Sequence, residues 1–152
     1  MLTTADLRAI LSRDKRTASA FRGVFASDEL PNCAPTSALY VCNTDPSTKG
    51  GEHWIVIYFD GKRRAEYFDS FGMQPTVAEF EEFMTRNSVV WTRNNVTVQD
   101  VLSDACGYHC VFFAVHRCVG FNMNAVVGMY TKNLTFNDVI VKRFVRENVF
   151  YQ

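Results

Sequence analysis

The stretch "HWIVIYFDGKRRAEYFDSFG", His53 to Gly72, reads as two strands joined by a hairpin. Trp54–Phe59 is an unbroken run of apolar, β-prone residues, the pattern of a strand covered on both faces. Asp60-Gly61 is a turn signal, and "AEYFDSFG" is the returning strand, ending near Asp69. In an antiparallel hairpin the start of one strand lies beside the end of the other. His53 and Asp69 stand at nearly equal distances from the turn, so an imidazole and a carboxylate are expected as neighbours at one sheet edge. Gly50-Gly51 directly upstream places His53 where its side chain can face a cleft.

The flanking sequence supplies the other layers. "TTADLRAILSRDKR" predicts a Thr-capped helix with Leu7, Ile10 and Leu11 inward. "FRGVFASDELPNCAPT" is expected to be irregular, and "SALYVCNTD" to be a strand. "TVAEFEEFMTRN" puts Val77, Phe80, Phe83 and Met84 on one helical face, and "VVWTR" is a short strand. A further helix, capped by Ser103 or Asp104, runs to about Cys118 and is apolar nearly all round, the mark of a buried rod. A short helical segment near Asn124–Tyr130 and a last helix over Asn137–Val149 complete an α+β layered arrangement.

Composition bounds the partners. The 152 residues predict one domain, 1–152, and 47% apolar content with 13 phenylalanines predicts a packed interior. Sixteen Lys+Arg balance 16 Asp+Glu, which speaks against a broad electrostatic footprint for nucleic acid. No window is long and apolar enough for a membrane span, and the first residues carry no apolar leader. Five cysteines, an odd count without a leader, predict free thiols in a reducing intracellular compartment, and a monomer is expected. "NVT" at Asn95 and "NLT" at Asn133 then signify polar turns only.

The chemistry concentrates in "SDACGYHCVFFAVHRC", Ser103 to Cys118. Cys106, His109 and Cys110 share a helical face, but zinc commonly takes four ligands from two pairs, and there is no second pair. "CGYHC" has three intervening residues and lacks the βαβ setting of a redox motif. Cys110 and Cys118 read as small buried hydrophobes. Cys106 differs because it falls in the first helical turn, where the helix dipole and free N–H groups favour a thiolate and can hold an oxyanion. Gly107 is expected to let substrate approach the sulfur. A nucleophile needs a base and the base an orienter, and His53 with Asp69 are the candidates.

With those residues in view, "GGEHWIVIYF", "EYFDSFG" and "VQDVLSDACGYHC" resemble, in that order, the adenovirus proteases (adenain) and their relatives in large DNA viruses and virus-like transposons. The wider clan includes the ubiquitin-like-protein proteases. The resemblance implies a papain-like fold in permuted chain order, with a central mixed or antiparallel sheet on a buried helix that carries the nucleophile at its N-terminus. It implies a cysteine endopeptidase with Cys106 as nucleophile, His53 as base and acid, Asp69 as orienter and Gln99 as oxyanion donor. Trp54 and Gly51 would border a narrow groove for Gly-Gly-like substrates, such as viral structural precursors. No metal or cofactor is implied. A viral peptide and DNA are implied as activators, yet Ser88 stands about where the peptide's partner cysteine would lie, and the zero net charge does not favour DNA. The virion, host nucleus or cytoplasm would be the setting. Two alternatives remain: an isopeptidase acting on ubiquitin-like conjugates, and an acyltransferase of the YopJ type that uses acetyl-CoA.

Overall fold

Strands β3 (Trp54–Phe59) and β4 (Arg64–Phe68) form the expected hairpin, paired antiparallel from Phe59↔Ala65 to Val56↔Phe68. The turn is longer than a two-residue hairpin loop, and Asp60 organises it. Its Oδ1 accepts the Lys62 and Arg64 N–H groups, and its Oδ2 accepts from the Arg64 guanidinium at 2.7 Å. The computed structural model describes residues 1–51 and 53–149.

Three further strands extend the hairpin: β1 (Phe21–Phe25), β2 (Ala38–Asn43) and β5 (Val90–Arg93). The sheet order is β1-β2-β3-β4-β5, with parallel pairing at both outer edges and antiparallel pairing between β2, β3 and β4. Strand β1 lies in a segment expected to be irregular. Its pairing with β2 is parallel and broken by a register shift between Phe21 and Gly23. No turn links the two strands directly, so no local signal announces the pair.

The six residues of β3 are all buried, and they alternate between two cores as a period of two demands. Ile55, Ile57 and Phe59 face Phe80, Phe83 and Met84 of α2 (Ala78–Asn87), where Tyr40, Phe59 and Phe83 meet edge to face. Trp54, Val56 and Tyr58 face α3 (Cys106–Cys118), which packs in turn on α1 (Thr4–Arg13), the short α4 (Met123–Val127) and α5 (Leu134–Asn148). Each fully buried side chain of this kind stabilises by roughly 1.5–3 kcal/mol. The result is the expected α+β architecture, a mixed sheet between α2 and a helical layer centred on α3.

Helix α3 is the apolar rod read from the sequence. Val111, Phe113 and Ala114 are wholly buried, and Phe113 stacks flat on Phe68 with centroids 4.5 Å apart. Polar side chains sit inside this layer too, and the one on α3 is satisfied on both ring nitrogens. His109 is fully buried, bonded through Nδ1 to the Tyr130 hydroxyl at 2.9 Å and through Nε2 to Asp138 at 2.8 Å. Burial lowers its pKa from the ordinary value, and the Asp138 carboxylate only partly offsets this. Two helix starts differ from expectation. Asn133 caps α5 through the Phe136 N–H, so that helix begins at Leu134. The cap position of α3 is Ala105 with no side-chain bond, because Ser103 and Asp104 are engaged elsewhere. Ser103 contacts Gln99, and Asp104 pairs with the Met1 amine and Lys142.

Candidate active site

His53 leads into β3, Asp69 follows β4, and their side chains meet: the His53 Nε2 lies 2.8 Å from Asp69 Oδ1. The hairpin geometry read from the sequence therefore holds. Both residues are buried to a large extent, with side chains 13% and 7% exposed. Asp69 is fixed in turn. Its Oδ1 also accepts the Phe71 N–H, its own N–H donates to Asn94 Oδ1, and Asn94 Nδ2 donates back to its carbonyl at 2.6 Å. The Phe71 ring stacks on the imidazole with centroids 4.7 Å apart. Asn94 and Phe71 were not singled out in the sequence. Asn94 supports the pair from another part of the chain, and Phe71 does so from the turn that follows Asp69.

A turn holds this loop in shape. Gly72 has φ +67°, and a Cβ there would sit 2.6 Å from the Val96 carbonyl carbon. The obstruction is backbone and cannot swing away. Gly72→Ala is expected to lower stability by about 2–4 kcal/mol, measured as the shift of the denaturant midpoint; a midpoint within experimental error of wild type would refute the close approach.

Cys106 is the first residue of α3 and 6% exposed. The first bond of the helix runs from the His109 N–H to the Ala105 carbonyl, so the N–H groups of Cys106, Gly107 and Tyr108 have no carbonyl within the helix. Those N–H groups and the helix dipole favour negative charge beside the thiol. The thiol lies beside His53, and the two groups interact electrostatically. Since Nε2 faces Asp69, Nδ1 is the ring nitrogen left for the sulfur. Burial pulls the His53 pKa down, but the bonds to Asp69 and Cys106 outweigh it and raise the pKa to about 9. The imidazole is then largely protonated at neutral pH. The other helical cysteines are different. Burial raises Cys110 far above the ordinary range and Cys118 to about 11.

His53, Asp69, Gln99 and Cys106 all line one groove of about 680 Å³, together with Gly51 and Trp54. Gln99 is 1% exposed. Its Oε1 accepts from the Ser70 hydroxyl at 2.5 Å, and its Nε2 donates to the Ser103 carbonyl at 3.1 Å and hydroxyl at 3.2 Å. A carbonyl only accepts, so the Ser103 contact fixes which end of the amide is nitrogen. Gly51, at φ +89°, lies against Asn43, where a Cβ would come within 2.8 Å of Nδ2. Trp54 reaches the groove but is 8% exposed, and its indole N–H donates to the Leu2 carbonyl at 3.3 Å. Gly107 also has a packing role. A Cβ there would meet Leu2 at 3.0 Å and Trp54 at 3.5 Å, so the glycine admits the N-terminal segment against the helix. Among the described residues no group of three or more Cys, His, Asp or Glu could hold a metal, and no helix is long and apolar enough to cross a membrane.

No protein-family model matches the chain. A curated relative, a protease of Bovine adenovirus 4, is 29% identical over 87 residues, covering 48% of this chain and 43% of that protein. The chain thus spans less than half the length of the curated relative it matches. Among solved structures, the ASFV pS273R protease superposes with a TM-score of 0.64 at 16% identity, covering 93% of this chain and 66% of that one. A looser superposition, TM-score 0.38 at 13% identity, is with the SUMO protease Ulp1, over 70% of this chain and 52% of that one. Part of the chain is thus similar in sequence to an adenovirus protease, and the chain shares the fold of the pS273R protease.

Proposed function

We propose that the chain is a cysteine endopeptidase, with Cys106 as nucleophile, His53 as acid and base, Asp69 as orienter and Gln99 as oxyanion donor. The observation that carries this is the His53–Asp69 pair at 2.8 Å in the same groove that Cys106 and Gln99 line. The Cys106 thiolate attacks the scissile carbonyl, and the oxyanion is met by the helix N-terminus and the Gln99 amide. The His53 imidazolium gives its proton to the departing amine, leaving a thioester. The resulting neutral imidazole takes a proton from water, hydroxide adds to the thioester, and the acid product and the thiolate leave.

Two features of the groove wall support a finer specificity. Trp54 is held in place by the Leu2 carbonyl, and Gly51 approaches Asn43 too closely for a side chain. Small residues on the acyl side of the substrate, Gly-Gly above all, fit such a passage. The resemblance to viral proteases supports structural precursor proteins as substrates, with a peptide activator as a further candidate partner.

The test is turnover of a peptide with a hydrophobic-x-Gly-Gly sequence before a fluorogenic amine. Wild type should release the amine, with virion peptides and DNA added if it alone is silent; silence under every condition would defeat the endopeptidase reading. Gln99→Ala should lower kcat by about 10²–10³. An unchanged kcat would remove Gln99 from the oxyanion site.

A further inference from the structure

Ser70 stands between the two halves of the site and has no part in the chemistry described above. It is 1% exposed, as is Gln99, and it holds that residue at two points and Val98 before it at a third. Its hydroxyl donates to Gln99 Oε1, and its carbonyl accepts the N–H of Gln99 at 3.1 Å and of Val98 at 2.8 Å. A planar amide has two ends, and each is occupied. Ser70 holds the oxygen and Ser103 the nitrogen, so the amide plane cannot turn without breaking a buried bond.

We propose that Ser70 is a positioning residue that aims the Gln99 amide at the oxyanion, so that the segment Asp69-Ser70-Phe71 sets both the base and the oxyanion donor. The inference rests on the endopeptidase reading. Asp69 orients His53 through its carboxylate, Phe71 stacks on the imidazole, and Ser70 between them fixes Gln99. The turn explains the division of labour: the Gly72 N–H closes it on the Asp69 carbonyl at 2.8 Å, and the three side chains splay from it toward different partners. Any shift of this segment moves both partners of the reaction centre together. Ser70→Ala leaves Oε1 without its buried donor and frees the amide to rotate.

The experiment is a double-mutant cycle on the fluorogenic peptide with a second readout on the amide itself. Ser70→Ala is expected to lower kcat about tenfold, the worth of one neutral hydrogen bond, with KM unchanged. In a Gln99→Ala background the same substitution should have no further effect on kcat. Side-chain amide resonances of Gln99 should exchange slowly with solvent in the wild type and at least about tenfold faster in Ser70→Ala. A kcat unaltered by Ser70→Ala, or an equal loss in both backgrounds, would overturn the proposal, as would unchanged exchange of the Gln99 amide. Failure of the endopeptidase reading looks different: Cys106→Ala would then turn over substrate like wild type, while the exchange measurement still decides whether Ser70 holds the amide.

Discussion

Cys106→Ala is expected to lower peptide cleavage by at least about 10⁴-fold, because no other group can form the thioester. The alternatives on the chain are poor. Burial raises the Cys42 and Cys110 thiols and takes Cys118 up to about 11, so none of these is a ready thiolate. Cys33 is exposed but does not line the groove. The substitution removes one sulfur from a position that alanine fills without strain, so the fold should survive. Circular dichroism and the denaturant midpoint of the variant check this. Mass spectrometry after brief iodoacetamide treatment supplies an independent measure: Cys106 should be alkylated faster than Cys110. Cleavage by Cys106→Ala at the wild-type rate would mean that the fold carries a different activity.

The second large effect concerns Asp69. Asp69→Ala should lower kcat by about 10²–10⁴, since the imidazole loses its orienting bond and its counter-charge. The pH dependence separates this from simple damage. In the folded protein the His53 pKa is raised from 6.5 to about 9. Cleavage in the wild type should therefore fall as pH rises through about 9, when the proton needed by the leaving amine is lost. Because the folded value is raised, the matching stabilisation is fully present below pH 6.5 and is lost as pH climbs toward about 9. In Asp69→Ala the main support for the imidazolium is gone, and the alkaline limb should move to lower pH. A limb that stays in place would show that Asp69 does not set the protonation of His53.

How much of this could be read beforehand depends on whether the signal is local. The His53–Asp69 contact was legible because a turn and two β-prone runs determine which residues face each other. The two-faced burial of β3 was legible from its unbroken apolar run. Strand β1 was not, since its partner is parallel and remote in sequence and its register is broken at Gly23. The cap of α3 was misread for a related reason. Ser103 and Asp104 have the right side chains for a cap, but tertiary partners claim both. Asn133 was read as a polar turn and turned out to cap α5. At the site, Gln99 emerged only through resemblance, and Ser70, Phe71 and Asn94 only through packing, because nothing in their spacing says what lies across from them.

The hairpin also bears on the order in which the site comes together. His53 and Asp69 are 16 residues apart and meet as soon as β3 and β4 pair, whereas Cys106 arrives on a helix that must dock across the finished sheet, with Phe113 settling on Phe68. Closing a short loop costs less entropy than closing a long one, so on that ground the base and its carboxylate assemble first and the sulfur last. On the proposed reading, a chain still emerging from the ribosome would carry an idle imidazole without its thiol, and it would become competent to cut its neighbours only at the step that completes its own core.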